Sequence, residues 1–170
     1  CNVAYFSLDE DSKNAKKLTK EGAIVAVFEN GFVTVKKGSW KIRIEKVSLI
    51  PLTMGGKAKF MIANALAASL AAYLWGFKTE DISLSLQTFI PGAAQTPGRM
   101  NIFEFKQFKV LIDFAHNPAG YLGIEEFMSN IQASKKIGII AGVGDRRDED
   151  IKECATIAAR MFDHIIIRQE

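Results

Sequence analysis

At 170 residues the chain can hold one ordinary domain or two small ones, and 48% apolar with 24% charged residues is the balance of a folded protein, not a disordered one. A net charge of +3, with basic residues scattered along the chain, argues against nucleic acid as a partner. Two cysteines are too few for a disulfide framework. No stretch has the length and apolarity of a transmembrane helix or the basic-then-apolar order of a signal peptide, so no membrane partner is expected and the cytoplasm is the expected compartment.

Taken in order, the first seven residues through Ser7 read as a strand. Lys13, Lys16, Lys17 and Lys20 have the spacing of one solvated face of a short helix. Three strand-like runs follow at 23–28, 32–36 and 41–45, divided by the turn signals Asn30-Gly31 and Lys37-Gly38-Ser39, which predicts a small antiparallel meander. Pro51 to Gly56 reads as a loop. From Lys57 to Leu74 apolar residues recur at helical spacing, and the many alanines allow close packing. Gly76 should stop that helix, and Thr79 with Asp81 has the look of a cap for a second helix running to Phe89. Pro91-Gly-Ala-Ala-Gln-Thr-Pro-Gly98 carries linker punctuation and marks the expected domain boundary. Beyond it the pattern is strand, strand, helix, strand, helix, strand, near 101–105, 108–113, 118–131, 136–141, 148–161 and 164–168. Such alternation implies a parallel sheet with right-handed crossovers. With no initiator Met and a last strand at the very end, both termini are expected to be cuts through a larger protein.

The chemistry-bearing residues gather at two strand ends. The apolar run Val110-Leu-Ile112 ends in Asp113, His116 and Asn117, and Pro118 then opens a helix. Ligands of open α/β sheets collect at the carboxyl ends of strands, and a helix N-terminus there favours phosphate. A helix cap with a buried polar network accounts for the same three residues equally well. The second strand end is Ile137 to Ala141, followed by Gly142-Val-Gly144 and then Asp145, Arg146 and Arg147. Gly142 and Gly144 permit positive φ and close approach of backbone to a ligand. Two polar strand ends in one small sheet favour a shared site. Arg99 follows the linker and could reach phosphate or ribose oxygens on domain closure, or form an inter-domain salt bridge. Asn64, inside the alanine-rich helix, needs a partner if buried. Cys154 reads as a buried, inert thiol, His164 as structural or exposed, and Glu125 and Glu126 as solvent-facing. No metal-ligand cluster is visible.

Four motifs carry a resemblance: Gly55-Gly-Lys-Ala-Lys-Phe-Met-Ile-Ala-Asn-Ala-Leu-Ala-Ala68, Pro97-Gly-Arg-Met-Asn101, Asp113-Phe-Ala-His-Asn-Pro118 and Gly142-Val-Gly-Asp-Arg146. In that order, over nearly the whole chain, the sequence resembles the Mur ligase superfamily, nearest to the branch that builds a poly-aspartate polymer bearing arginine. The resemblance implies an α/β fold: residues 1–92 as the end of the central ATPase domain (a small β meander plus helices), and residues 97–170 as an incomplete Rossmann-like C-terminal domain with a mainly parallel sheet. It implies ATP and Mg²⁺ as cofactors and an acyl-phosphate mechanism of amide-bond formation, with arginine and a poly-aspartate acceptor as substrates. Other Mur-like ligases, acting on peptidoglycan precursors or folylpolyglutamate, and a non-catalytic binding module are the alternatives. On this model Asn64 contacts adenine, and Arg99 and Asp113 hold the ribose and phosphate region. His116 and Asn117 lie near the phosphates as catalytic candidates, and Gly142, Gly144, Asp145 and Arg146 shape the incoming amino-acid pocket. Met61 stands where family members often carry a second amide. No Gly-x-x-Gly-Lys-Ser/Thr loop occurs in the chain, so this piece is expected to be inactive without a partner segment upstream. Homo-oligomerisation is left open.

Overall fold

The computed structural model describes residues 3–142 and 146–168. The chain divides between Gln95 and Thr96 into two compact units.

The first unit is built on a four-stranded sheet of order β1-β2-β3-β4, comprising β1 (Tyr5–Ser7), β2 (Val25–Glu29), β3 (Phe32–Lys37) and β4 (Trp40–Lys46). β1 runs parallel to β2, and the other neighbours are antiparallel, which is the meander that the turn signals predict. Asn30 and Gly31 both adopt positive φ, 51° and 82°, as a two-residue hairpin loop requires. Successive side chains alternate between faces. Val25 and Val27 pack with Ala15 of the lysine-rich helix α1 (Lys13–Lys20) on one side. Ala26, Val33, Val35 and Ile44 pack on the other side with Ile62, Ala65, Leu66 and Leu70 of α2 (Lys59–Trp75). The alanines of α2 set this spacing, and Leu66, fully buried, fills it.

Gly76, at φ 96°, ends α2 as expected, with the Phe77 amide returning to the Ala72 carbonyl. The expected cap of α3 (Thr79–Thr88) is corrected: Thr79 is already helical, and Lys78 occupies the cap position without a side-chain cap bond. Glu80 and Asp81 in the first turn instead meet the positive end of the helix dipole. α3 is tied to β4 by buried Glu45, whose carboxylate accepts from Ser83 Oγ at 2.6 Å and Gln87 Nε2 at 2.5 Å.

The second unit opens with a hairpin. β5 (Asn101–Glu104) pairs antiparallel with β6 (Lys109–Ile112), because the connection between them is far too short for a parallel crossover. The parallel arrangement expected for this half is found between β7 (Ile137–Ala141) and β8 (His164–Arg168), with α5 (Asp148–Met161) between them in sequence. α4 (Pro118–Ser129) packs against α5, and Phe127 of α4 and Ile157 and Ala158 of α5 are buried. Glu125 lies at the surface, part-exposed, as the sequence suggests. It forms a two-point pair with Arg160 at 3.0 and 3.1 Å, joining α4 to α5. Among the described residues, no helix is long and apolar enough to cross a membrane.

Candidate functional site

The site is assembled in the second unit, at the end of β6. Asp113 follows that strand directly, and its Oδ2 accepts from the Met100 amide at 2.9 Å. Met100 is buried with φ 51°, a left-handed conformation that costs a non-glycine residue roughly 1–2 kcal/mol. Asn101, the first residue of β5, is only 5% exposed. Its Oδ1 accepts from the Gly98 amide at 2.7 Å, and its Nδ2 donates to the Thr96 and Arg99 carbonyls at 2.9 and 3.2 Å. The turn carrying Arg99 is therefore bound from both hairpin strands.

Arg99 is exposed, and its guanidinium lies over the Phe114 ring at 5.1 Å from the centroid. Phe114 in turn stands 5.4 Å from the His116 ring. A cation over an exposed ring contributes about 0.5–1 kcal/mol, enough to bias a flexible side chain toward one position. His116 Nδ1 lies 2.9 Å from the Phe114 carbonyl, which can only accept, so Nδ1 carries a proton and Nε2 is the acceptor nitrogen of the neutral ring. Asn117 caps α4: its Oδ1 accepts from the Gly120 amide at 2.8 Å, with Pro118 at the first helical position. The side-chain oxygen of Asn117 is thereby committed to the helix. A Cβ at Gly120 would stand 3.3 Å from that same oxygen.

His116, Tyr121, Ala141, Gly142, Arg146 and Cys154 share a cleft of about 200 Å³. The cleft thus brings His116 beside Gly142 and Arg146, but Asp113 and Asn117 do not line it, and the expected single sheet is corrected: β6 pairs with β5 and β7 with β8 in two separate two-stranded sheets. Burial pushes the Tyr121 phenol above its usual range. Burial, then Asp150 and Glu153, pushes the Cys154 thiol up as well, which fits a thiol that is not a nucleophile. Arg147 is engaged by Asp150 through two bonds of 3.0 and 2.9 Å, leaving Arg146 as the arginine of the cleft.

Some expectations require correction. Gly142 does not use glycine's freedom: its φ is not in the positive region, and a Cβ there would meet nothing within 4 Å. Gly144 and Asp145 lie outside the described residues, as does Cys1. Asn64 is exposed on α2, so no buried partner is demanded; its Nδ2 lies 3.5 Å from Met61 Sδ. His164 is exposed at the start of β8. Sequence reasoning missed Asn101 and Phe114. The signal for Asn101 was an asparagine just past a glycine turn, a type that commonly bonds neighbouring backbone.

No family model matches the chain. It is 47% identical over 169 residues to the cyanophycin synthetase of Trichormus variabilis, covering 99% of this chain and 19% of that protein. It is 29% identical over 152 residues to the UDP-N-acetylmuramoyl-L-alanyl-D-glutamate–2,6-diaminopimelate ligase of Corynebacterium efficiens, covering 85% of this chain and 27% of that one. Among solved structures, MurF of Acinetobacter baumannii superposes with a TM-score of 0.60 at 18% identity, covering 96% of this chain and 38% of that chain. The chain thus shares its α/β fold with MurF and is similar in sequence to ligases of the Mur superfamily. Within it, the similarity along the whole chain is to cyanophycin synthetases, of whose length the chain spans about a fifth (19%).

Proposed function

We propose that this chain is part of an ATP-dependent ligase of the cyanophycin synthetase kind, which joins arginine to the side-chain carboxylates of a poly-aspartate backbone. Residues 1–92 would then close the central ATPase domain and residues 97–170 would belong to an incomplete C-terminal Rossmann-like domain. The observation that carries the reading is the row Arg99–Phe114–His116 at the end of β6. It presents a permanent cation and an imidazole from a turn braced by Asp113.

These residues fit part of ATP. Arg99 offers a guanidinium fork for phosphate or ribose oxygens, and His116 offers Nε2 as an acceptor. Asp113, in contact with the Met100 amide, acts on the nucleotide through the turn that it braces. Asn64 remains the candidate for the adenine edge. Nothing in the chain has the sequence of a loop that cradles β- and γ-phosphates or seats Mg²⁺, so those tasks fall to another segment. ATP supplies the phosphoryl group that activates the acceptor carboxylate; this chain's residues orient the nucleotide and offset its negative charge. The cleft between the two strand ends, with Arg146 and Gly142 on its wall, is the candidate pocket for the incoming amino acid.

The test is phosphate release by the full-length enzyme with a poly-aspartate primer and either arginine, lysine or no amino acid. Arginine-dependent release is expected. Release that ignores the amino acid, or that instead follows a peptidoglycan precursor or a folate, would overturn the substrate assignment.

A further inference from the structure

We infer that Asn101 is a positioning residue for Arg99, setting where its guanidinium stands by holding the backbone on both sides of it. The functional half of this inference rests on the reading of Arg99 as a nucleotide contact.

Arg99 has little of its own to fix it. It is exposed, and its side chain touches one aromatic face. Its backbone, by contrast, is held at both ends by one carboxamide. The Arg99 carbonyl accepts from Asn101 Nδ2, and the Arg99 amide donates at 3.1 Å to the Thr96 carbonyl, which the same Nδ2 also engages. Gly98, at φ 68°, has its amide bound by Asn101 Oδ1. All three bonds come from a side chain anchored in a ladder, since Asn101 pairs with Ile112 at the start of the hairpin. Asp113 follows Ile112 and holds the next amide, that of Met100, in its left-handed conformation. Backbone strain beside an exposed charged residue persists only where the surroundings over-determine it. Here Asn101 and Asp113 do so from opposite strands, with Arg99 between them.

The chemistry demands a carboxamide. Oδ1 must accept while Nδ2 donates to two carbonyls. Aspartate has nearly the same shape but would turn two attractive contacts into oxygen–oxygen repulsions. Asn101→Asp is therefore the informative variant, with Asn101→Ala beside it in case the new charge prevents folding.

Both variants, with Arg99→Ala as reference, are made in the full-length enzyme. The first readout is the rate of tryptic cleavage after Arg99, with the peptide quantified by mass spectrometry against cleavage after Lys20 in the other unit. The second is the KM for ATP and for the amino acid, together with kcat. Cleavage after Arg99 should accelerate about tenfold or more, and the KM for ATP should rise toward that of Arg99→Ala while the amino-acid KM stays within about twofold. A general loss of folded enzyme would lower kcat and leave both KM values unchanged, so that pattern overturns the inference. Unchanged cleavage after Arg99 overturns it too, because the turn is then held by something else. If Arg99→Ala itself leaves the ATP KM unmoved, the nucleotide reading of Arg99 fails first, and the positioning role falls with it.

Discussion

Gly138 lies in the middle of β7, opposite Ile165, and a Cβ built there would stand 2.4, 2.6 and 2.8 Å from Cδ2, Cε2 and Cγ of Phe162. Carbon atoms in favourable contact sit about 3.5–4.0 Å apart, so Gly138→Ala requires the ring or the strand to move by roughly an ångström. The ring has little room to yield. Phe162 ends α5 with its amide bound to the Ala158 carbonyl, and its neighbour Asp163 is pinned to Lys136 through both backbone and side chain at 2.8 and 2.6 Å. Overpacking of this kind costs about 1–3 kcal/mol, offset by about 0.4–1 kcal/mol from the stiffer unfolded chain. A net loss of about 1–2 kcal/mol corresponds to roughly 5–30-fold faster exchange of those β7 amides that are bonded to β8. Native-state hydrogen exchange reads this in the second unit alone, whatever the first unit does. In a Phe162→Ala background the obstruction is gone, and the same glycine change should be neutral or stabilising. Equal cost in both backgrounds, or no cost beside the intact ring, would refute the steric reasoning.

Glu45 gives a pH prediction. Burial raises its pKa, but the bonds from Ser83, Gln87 and the Lys46 amide outweigh that and hold the folded value below the usual carboxylate range. A depressed folded pKa means the unfolded chain binds more protons, so Glu45 contributes stability that is fully present above pH of about 4.3 and lost as pH falls through the folded pKa. Glu45→Gln should therefore cost about 1–3 kcal/mol at pH 7. The gap from the parent chain should narrow as denaturation is repeated toward pH 3; a constant gap would argue against a charged, bonded carboxylate. Asn117→Ala should remove the cap of α4, cost about 1 kcal/mol and speed exchange of the Gly120 amide, while Asn117→Asp should retain most of the protection. An unaltered Gly120 amide in the alanine variant would mean that the cap bond is not made in solution.

Much of the fold was legible because its signals are local. Asn30-Gly31 and Gly76 need conformations that few residues tolerate, and both fall where the structure turns or stops. The apolar runs of β2 and β3 follow from burial on both faces of the sheet, and the small-residue helix α2 covers one of them. The cap of α3 was misread because a threonine beside two acids has a cap's composition, whereas the decisive quantity, the extended backbone of Lys78, leaves no mark in sequence. At the site, Asp113 and His116 were legible as polar residues ending an apolar strand, and the cleft does join His116 to Gly142 and Arg146. The Glu125–Arg160 pair and the Asn101 bonds were not, because each depends on a geometry fixed only once helices pack or a turn closes. Gly142 shows the opposite case: a glycine in a suggestive motif whose φ is not in the positive region, although it does line the cleft.

The most direct measurement is arginine-dependent ATP turnover by the full-length enzyme carrying Arg99→Ala, compared with the unsubstituted enzyme under the same primer and salt. Removing a charged contact to the nucleotide should cost about 1.5–3 kcal/mol, a loss of roughly 10–150-fold in kcat/KM for ATP. A folded Arg99→Ala enzyme that keeps its full kcat/KM for ATP would contradict the claim that the β6 end and its braced turn handle the nucleotide.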